Sequence, residues 1–231
     1  MSYIIWLKQG GVLKRFSIQQ FVDRVPIKFP RLPIKKDNYG NIACSLDDCY
    51  SLLLKEGIAL ERDYSFRGSR RPREVVSDRV FERMPKEKVT GFVTLIHSTL
   101  KKIRSLLQGT PLTCCVQVTE EFNNYKDFNT VYIRPENMGS PGPETVYHSL
   151  IITGCGILDG VEYVEVRNNF GSRWGLHGKG KVALSSIHDV QCPIVPSPKV
   201  EELGRGKRKR KPLQGLEKTG GKRRAQAPLA Q

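Results

Sequence analysis

Long apolar runs are missing from this sequence of 231 residues: none approaches the ~20 residues that a bilayer-spanning helix needs. A membrane is therefore left out of the expected partners. Metal-ligand spacing is missing too. The six cysteines (Cys44, Cys49, Cys114, Cys115, Cys155, Cys192) form no CxxC pair, and His97, His148, His177 and His188 form no ligand-spaced cluster. Neither a structural zinc site nor another metal or cofactor is expected from that layout. The opening Met-Ser-Tyr-Ile-Ile-Trp-Leu-Lys has no basic leader and no small-residue cleavage site, which predicts no secretory signal. Its thiols are then expected to be buried and reduced. Internal repeats are absent.

What is present is a core-forming composition with an uneven charge. Apolar residues are 39% and charged residues 26% of the chain, and the net charge is +15. From residue 199 onward, eleven Lys or Arg stand against three Glu, so +8 of that charge lies in the last 33 residues. Such a segment has almost no large apolar side chains to offset its ordering entropy. The expected division is therefore a folded domain over 1–198 and a disordered basic tail over 199–231, separated after the proline-rich Pro193-Ile-Val-Pro196-Ser-Pro198. In the tail, Lys207, Arg208, Lys209, Arg210 and Lys211 are ten residues away from Lys222, Arg223 and Arg224. This arrangement resembles a bipartite nuclear-import signal, which implies an import receptor as partner and a nuclear or cytoplasmic location. Two other readings stand beside it: a solvated charge run without a reader, and weak, salt-dependent nucleic-acid contact without sequence preference.

Periodicity predicts helices first and strands later, an α+β arrangement. Phe16-Ser-Ile-Gln-Gln-Phe-Val-Asp23 reads as a helical turn with Ser17 as cap, Gln20 as its reciprocal partner, and Phe21 and Val22 buried. Pro26, Pro30 and Pro33 predict an extended loop after it. Ser45 caps a second helix with Asp47 and Asp48 in its first turn, an apolar stripe of Leu46, Cys49, Tyr50, Leu53 and Leu54, and Gly57 as its stop. Residues 67–73 read as a polar loop. A third helix is predicted from Thr90 or Gly91 to Leu107. Strands are predicted over 112–119, 149–156, 161–167 and 181–184.

Asp159-Gly160 between two apolar strands is a hairpin signal. With a two-residue loop, His148 stands opposite Gly171 and Asn168 lies on the other face. With a three-residue loop, Ile157 pairs with Val161, His148 faces Phe170, and Asn168 becomes its diagonal neighbour on the same face. In the second register an amide oxygen can hold one imidazole nitrogen, fix the tautomer and leave the other nitrogen as a base for a thiol. His148 and Asn168 are the candidate catalytic residues.

The stretch His148-Ser-Leu-Ile-Ile-Thr-Gly-Cys-Gly, followed by Arg167-Asn-Asn-Phe-Gly-Ser-Arg-Trp-Gly-Leu-His-Gly-Lys-Gly, resembles the papain-like cysteine proteases. Their pattern there is H-A-V-x-x-V-G-Y-G, then K-N-S-W-G-x-x-W-G-x-x-G-Y. The resemblance implies that His148 matches the catalytic histidine and Asn168 the orienting asparagine. Phe170, Gly171, Trp174 and Gly175 match the elements that shield the pair, with Phe170 in place of a larger tryptophan. Earlier segments agree: Phe16 to Asp23 is similar to L-S-E-Q-x-L-V-D, Leu46 to Ile58 with Asp63-Tyr-Ser-Phe66 to M-D-x-A-F-x-Y-I…G-I…D-Y-P-Y, and Pro111 to Val118 to P-V-S-V-A-I. The fold implied is an incomplete papain-like two-lobe fold, with a partial helical left lobe and an antiparallel sheet or barrel as right lobe.

The nucleophile of that family lies about 130–150 residues before the histidine, which puts it roughly between the first residue and residue 18. No cysteine occurs there, and the oxyanion glutamine is expected still further upstream. Arg24 stands where a disulfide cysteine usually follows V-D, and residues 40–45 replace the G-C-N-G-G turn. The leading expectation is thus a non-proteolytic homologue retaining His148 and Asn168, binding peptide or protein segments, and weakly stable or covered by a partner. The alternatives are a cysteine endopeptidase represented by an incomplete sequence, and a basic nuclear interaction module.

Overall fold

Ser45 starts the helix that the sequence announces most clearly. Its hydroxyl accepts from the Asp48 N–H, Asp47 and Asp48 occupy the first turn, and Gly57 at φ 74° ends the helix after Glu56. A cap of this kind stabilises a helix by about 1 kcal/mol. The structure, a computed structural model, describes residues 13–30, 44–69, 75–136 and 145–195. The basic clusters Lys207 to Lys211 and Lys222 to Arg224, Pro33, the end of the proline-rich boundary and part of the 67–73 loop lie outside the described residues.

In chain order the helices are α1 (Gln19–Lys28), α2 (Leu46–Glu56), α3 (Asp78–Arg83), α4 (Leu100–Leu107) and α5 (Glu120–Asn123). The strands are β1 (Ile58–Ala59), β2 (Lys86–Glu87), β3 (Gly91–Leu95), β4 (Leu112–Gln117), β5 (Tyr147–Leu158), β6 (Val161–Arg167), β7 (Lys179–Ala183) and β8 (Ile187–Ile194). β1 and β2 form a small ribbon. The other six form one antiparallel sheet in the order β3-β8-β4-β5-β6-β7. The α+β class is the predicted one, but the order is not helices first and strands later: α4 lies between β3 and β4, and α5 between β4 and β5.

Several elements differ from the sequence expectation. α1 runs through Pro26 to Lys28 instead of ending at residue 23. Pro26 removes its own N–H from the ladder and crowds the Val22 carbonyl, yet only two residues follow it before the end, which the Phe29 N–H closes on Val25 O at 2.9 Å. Ser17 does accept from the Gln20 N–H at 3.0 Å, but Gln20 does not reciprocate. Its amide fastens β1 instead, donating to Gly57 O and accepting from Ala59 N. The buried face of α1 is Gln19, Gln20, Asp23, Arg24 and Val25, with Phe21 and Val22 only half-buried. Those polar side chains tolerate burial because they are paired. Asp23 accepts from Gln19, the Tyr64 hydroxyl and Arg67. Arg24, at the position of the expected cysteine, donates twice to Glu56 and once to Asp78 and lies 4.0 Å over the Phe81 ring. In α2, Leu52 rather than Leu54 completes the buried stripe.

The predicted third helix is half strand. Phe92-Val-Thr-Leu95 pairs with β8, and Thr99 caps the helix that follows. β8 itself escaped periodicity because its burial is nearly continuous and includes a polar residue. Gln191 is buried there and donates to Asp47 Oδ1 at 2.5 Å, tying the sheet to the start of α2. The predicted strand 112–119 ends at Gln117, because Thr119 caps α5 instead. The predicted strand 181–184 lies at 179–183, and 149–156 extends to 147–158. The sheet is covered on one face by Ile103 and Leu106 of α4 and Phe122 of α5, over Leu112, Val116, Leu150, Ile152 and Val164. Full burial of each such side chain contributes about 1.5–3 kcal/mol. A second cluster gathers Tyr50, Leu53, Ile58, Val89 and Val195.

Candidate functional site

The hairpin that carries the site turns on two residues. Leu158 pairs with Val161 across Asp159 at φ 49° and Gly160 at φ 79°, the backbone of a primed turn whose second residue suits glycine. The three-residue loop, the alternative that would align His148 with Phe170, is absent. The alignment nevertheless forms, because a bulge between Ile152 and Gly154 inserts the extra residue within β5. Beyond the bulge Ile152 pairs with Val166 and Ile151 with Arg167, which sets His148 and Asn168 on one face.

His148 Nε2 stands 2.8 Å from Asn168 Oδ1. The same oxygen accepts the Asn169 backbone N–H at 2.7 Å, so two donors converge on it. An amide oxygen only accepts, which places the ring hydrogen on Nε2 and the lone pair on Nδ1. Burial lowers the His148 pKa from its ordinary value, and hydrogen bonds to the Asn168 and Asn169 side chains oppose that shift. The neutral ring is therefore the form the site favours, with one nitrogen available to take a proton.

Phe170 tilts against the imidazole, ring centroids 4.4 Å apart, while keeping 42% of its own surface exposed. Beneath them lies Phe122, fully buried and 6.3 Å from the His148 ring and 6.0 Å from Phe170. Trp174 packs one layer lower, against Phe122 and Tyr125, and its indole N–H donates to Phe122 O at 2.7 Å. Of the expected shielding residues, then, Phe170 meets the histidine and Trp174 supports the floor. Sequence reasoning missed Phe122. Its signal was Thr119-Glu-Glu-Phe122, a capping residue followed by acids in a first turn.

The segment after Asn168 folds back to hold it. The Asn168 N–H donates to Gly178 O at 2.8 Å, and the Gly175 N–H donates to Tyr125 O at 2.9 Å. Gly175 lies at φ 54°, and a Cβ there would collide with Lys179 O.

The thiols lie elsewhere. Cys114 is buried in the core of β4 opposite Leu150, and burial pushes its thiol up. Cys115 points to the other face of the sheet, 3.8 Å from the Ser149 hydroxyl. Cys155 pairs in register with Val164, and Cys192 with Val93. Cys44 and Cys49 face each other at the start of α2, 3.5 Å apart. His148 takes its polar partners from Asn168 and Asn169, and among the described residues no thiol is hydrogen-bonded to it. Among the described residues, no three His, Cys, Asp or Glu converge as a metal site.

A family model described as papain family cysteine protease matches residues 5–198. Cathepsin R of Mus musculus is 30% identical over 188 residues, covering 78% of this chain and 49% of that protein. A cathepsin L-like proteinase of Fasciola hepatica is 24% identical over 184 residues, covering 77% and 49%. The chain thus spans about half the length of these relatives. Among solved structures, the bromelain protease of Ananas comosus in complex with the E64 inhibitor superposes with a TM-score of 0.60 at 19% identity, covering 84% of each chain. Procathepsin L 3 of the Tenebrio molitor larval midgut gives 0.60 at 16%, covering 84% of this chain and 60% of that one. At these identities the superpositions establish the fold.

Proposed function

The chain belongs to the papain family of cysteine proteases, and we propose that the polypeptide given by this sequence is a non-proteolytic homologue that binds peptide segments. The observation that carries this reading is the company His148 keeps. Asn168 orients the base and Phe170 shields it, yet among the described residues no thiol is hydrogen-bonded to the ring. Amide cleavage by this chemistry needs a thiolate to form the acyl-enzyme, and removal of one member of such a unit leaves little beyond binding. Peptide binding measured by fluorescence anisotropy, with the bound peptide analysed by mass spectrometry after prolonged incubation, tests the reading. Saturable binding with intact peptide is expected. Cleavage products that vanish with His148→Ala would overturn it.

A second reading is favoured by the extent of the match, about half of each cathepsin relative. In it, the same His148–Asn168 pair serves a cysteine endopeptidase whose thiol comes from a preceding segment. Sequencing the 5′ end of the transcript separates the two, since an upstream C-G-S-C-W segment would restore the nucleophile.

For the basic clusters at Lys207 to Lys211 and Lys222 to Arg224 the proposed role is nuclear import, with weak nucleic-acid contact as the competing role. Deleting residues 199–231 should abolish nuclear accumulation while leaving peptide binding intact. Unchanged accumulation would remove import from the account.

A further inference from the structure

Cys44 and Cys49 occupy the positions just before the cap and four residues into α2, flanking Ser45, places whose side chains naturally meet over the first helical turn. Apolar residues usually fill both places. Here two thiols do, with Sγ atoms 3.5 Å apart and neither bonded covalently. Cys44 is exposed, whereas Cys49 is half-buried and lines a cleft of about 400 Å³ shared with Phe21, Leu46, Tyr50, Leu53 and Ile151.

We infer that Cys44 and Cys49 form a dithiol oxidation site that takes a hydroperoxide and closes to a disulfide across the first turn of α2. The geometry asks little of the fold, since the sulfurs need approach by only about 1.5 Å to reach bonding distance. The roles differ by position. Cys44 meets solvent at the end of a helix where backbone N–H groups favour an anion. The hydrogen bond from Cys49 holds the Cys44 thiol below its ordinary value, while that same contact, with burial, raises Cys49. Partial burial of the sulfur and, after it, the nearby Asp48 carboxylate work against the Cys44 thiolate without cancelling that preference.

The reaction balances with the peroxide as the only added reagent. Cys44 ionises and its thiolate attacks one oxygen of hydrogen peroxide, an S–O bond forms as the O–O bond breaks, and the leaving hydroxide takes up the proton released on ionisation to become water. The Cys49 sulfur then attacks the Cys44 sulfur, the S–S bond forms, the S–O bond breaks, and a second water leaves with the Cys49 proton. Two electrons pass from the sulfurs to the peroxide. Among the described residues the other four cysteines show no such couple: Cys114 and Cys192 are buried, Cys115 faces a hydroxyl, and Cys155 packs against the core opposite Val164. A thiol reductant reverses the bond by exchange.

The test is titration of the full chain with hydrogen peroxide, followed by alkylation, trypsin digestion and mass spectrometry. Both cysteines fall in one tryptic peptide, residues 37–55. The expected result is that this peptide escapes alkylation first, is lighter by two hydrogens than its reduced form, and regains both thiols after dithiothreitol. Cys44→Ser should leave Cys49 alkylatable at the same peroxide dose, a result read at the peptide level whether or not stability changes. Earlier oxidation of Cys115 or Cys155, or Cys44 accumulating as sulfinic acid with Cys49 still free, would overturn the inference.

Discussion

Phe170 lies against His148 with ring centroids 4.4 Å apart, so the aromatic side chain next to the base is also one of the more exposed residues of the site. Burial is what lowers the His148 pKa. Phe170→Ala should therefore raise it toward its ordinary value of about 6.5, read from the pH dependence of the ring C–H resonances by NMR. A downward shift would mean that Phe170 does not shield the ring.

Asn168→Ala should move the same resonance the other way. Its amide accepts from the Nε2–H and favours the charged ring, opposing burial. The same variant should lose the single tautomer, visible as averaged ring nitrogen shifts. An unchanged titration with an unchanged tautomer would remove Asn168 from the positioning role.

The lowered His148 pKa also has a sign in stability. Below about pH 6.5 the unfolded chain binds the proton more readily than the folded one. The contribution of this group is present above that pH and is lost as pH falls through the folded value. His148→Gln should flatten that part of the stability profile, measured as urea midpoints at successive pH values.

Arg24 holds the end of α2 to α1 and α3 where the family resemblance expects a cysteine. Its guanidinium is 3% exposed and Glu56 15%, so solvent screening is slight. Arg24→Met should cost about 3 kcal/mol, the low end for an opened buried pair, because Lys28 still reaches Glu56 at 3.4 Å. Burial alone would raise the Glu56 carboxyl, but Arg24 and Lys28 overcome it and hold it below the usual range. That contribution is present above about pH 4.5 and lost as pH falls below it. The variant should show a shallower acid limb in the same denaturation series.

Gly175→Ala should destabilise the loop that holds Asn168, by about 1–2 kcal/mol from the left-handed backbone alone and more from the clash with Lys179 O. Faster amide exchange at Asn168, whose N–H is bonded to Gly178 O, is the local readout. Unchanged exchange would show that the loop does not position this residue.

Local chemistry made part of this fold readable. Ser45, Asp47, Asp48 and Gly57 announce α2 residue by residue, and alternation fixes β6 at residues 161–167. Where burial runs continuously, as in β8, or where β-branched residues precede a cap, as in β3, periodicity gave no strand. The pairing of His148 with Asn168 was legible only as one of two registers. The bulge at Thr153 that selects it depends on tertiary pairing and has no local marker. The floor under Phe170 comes from Phe122, twenty-six residues before His148, which no hairpin argument reaches.

Intact-mass analysis of the full chain after exposure to a peptidyl epoxide, run beside His148→Ala, tests whether His148 works without a thiol partner, as it stands among the described residues. The account predicts no adduct that depends on His148, with Cys44 the first residue to react slowly in both proteins. A stoichiometric adduct on one cysteine in the unaltered chain, lost in His148→Ala and accompanied by peptide turnover, would contradict it.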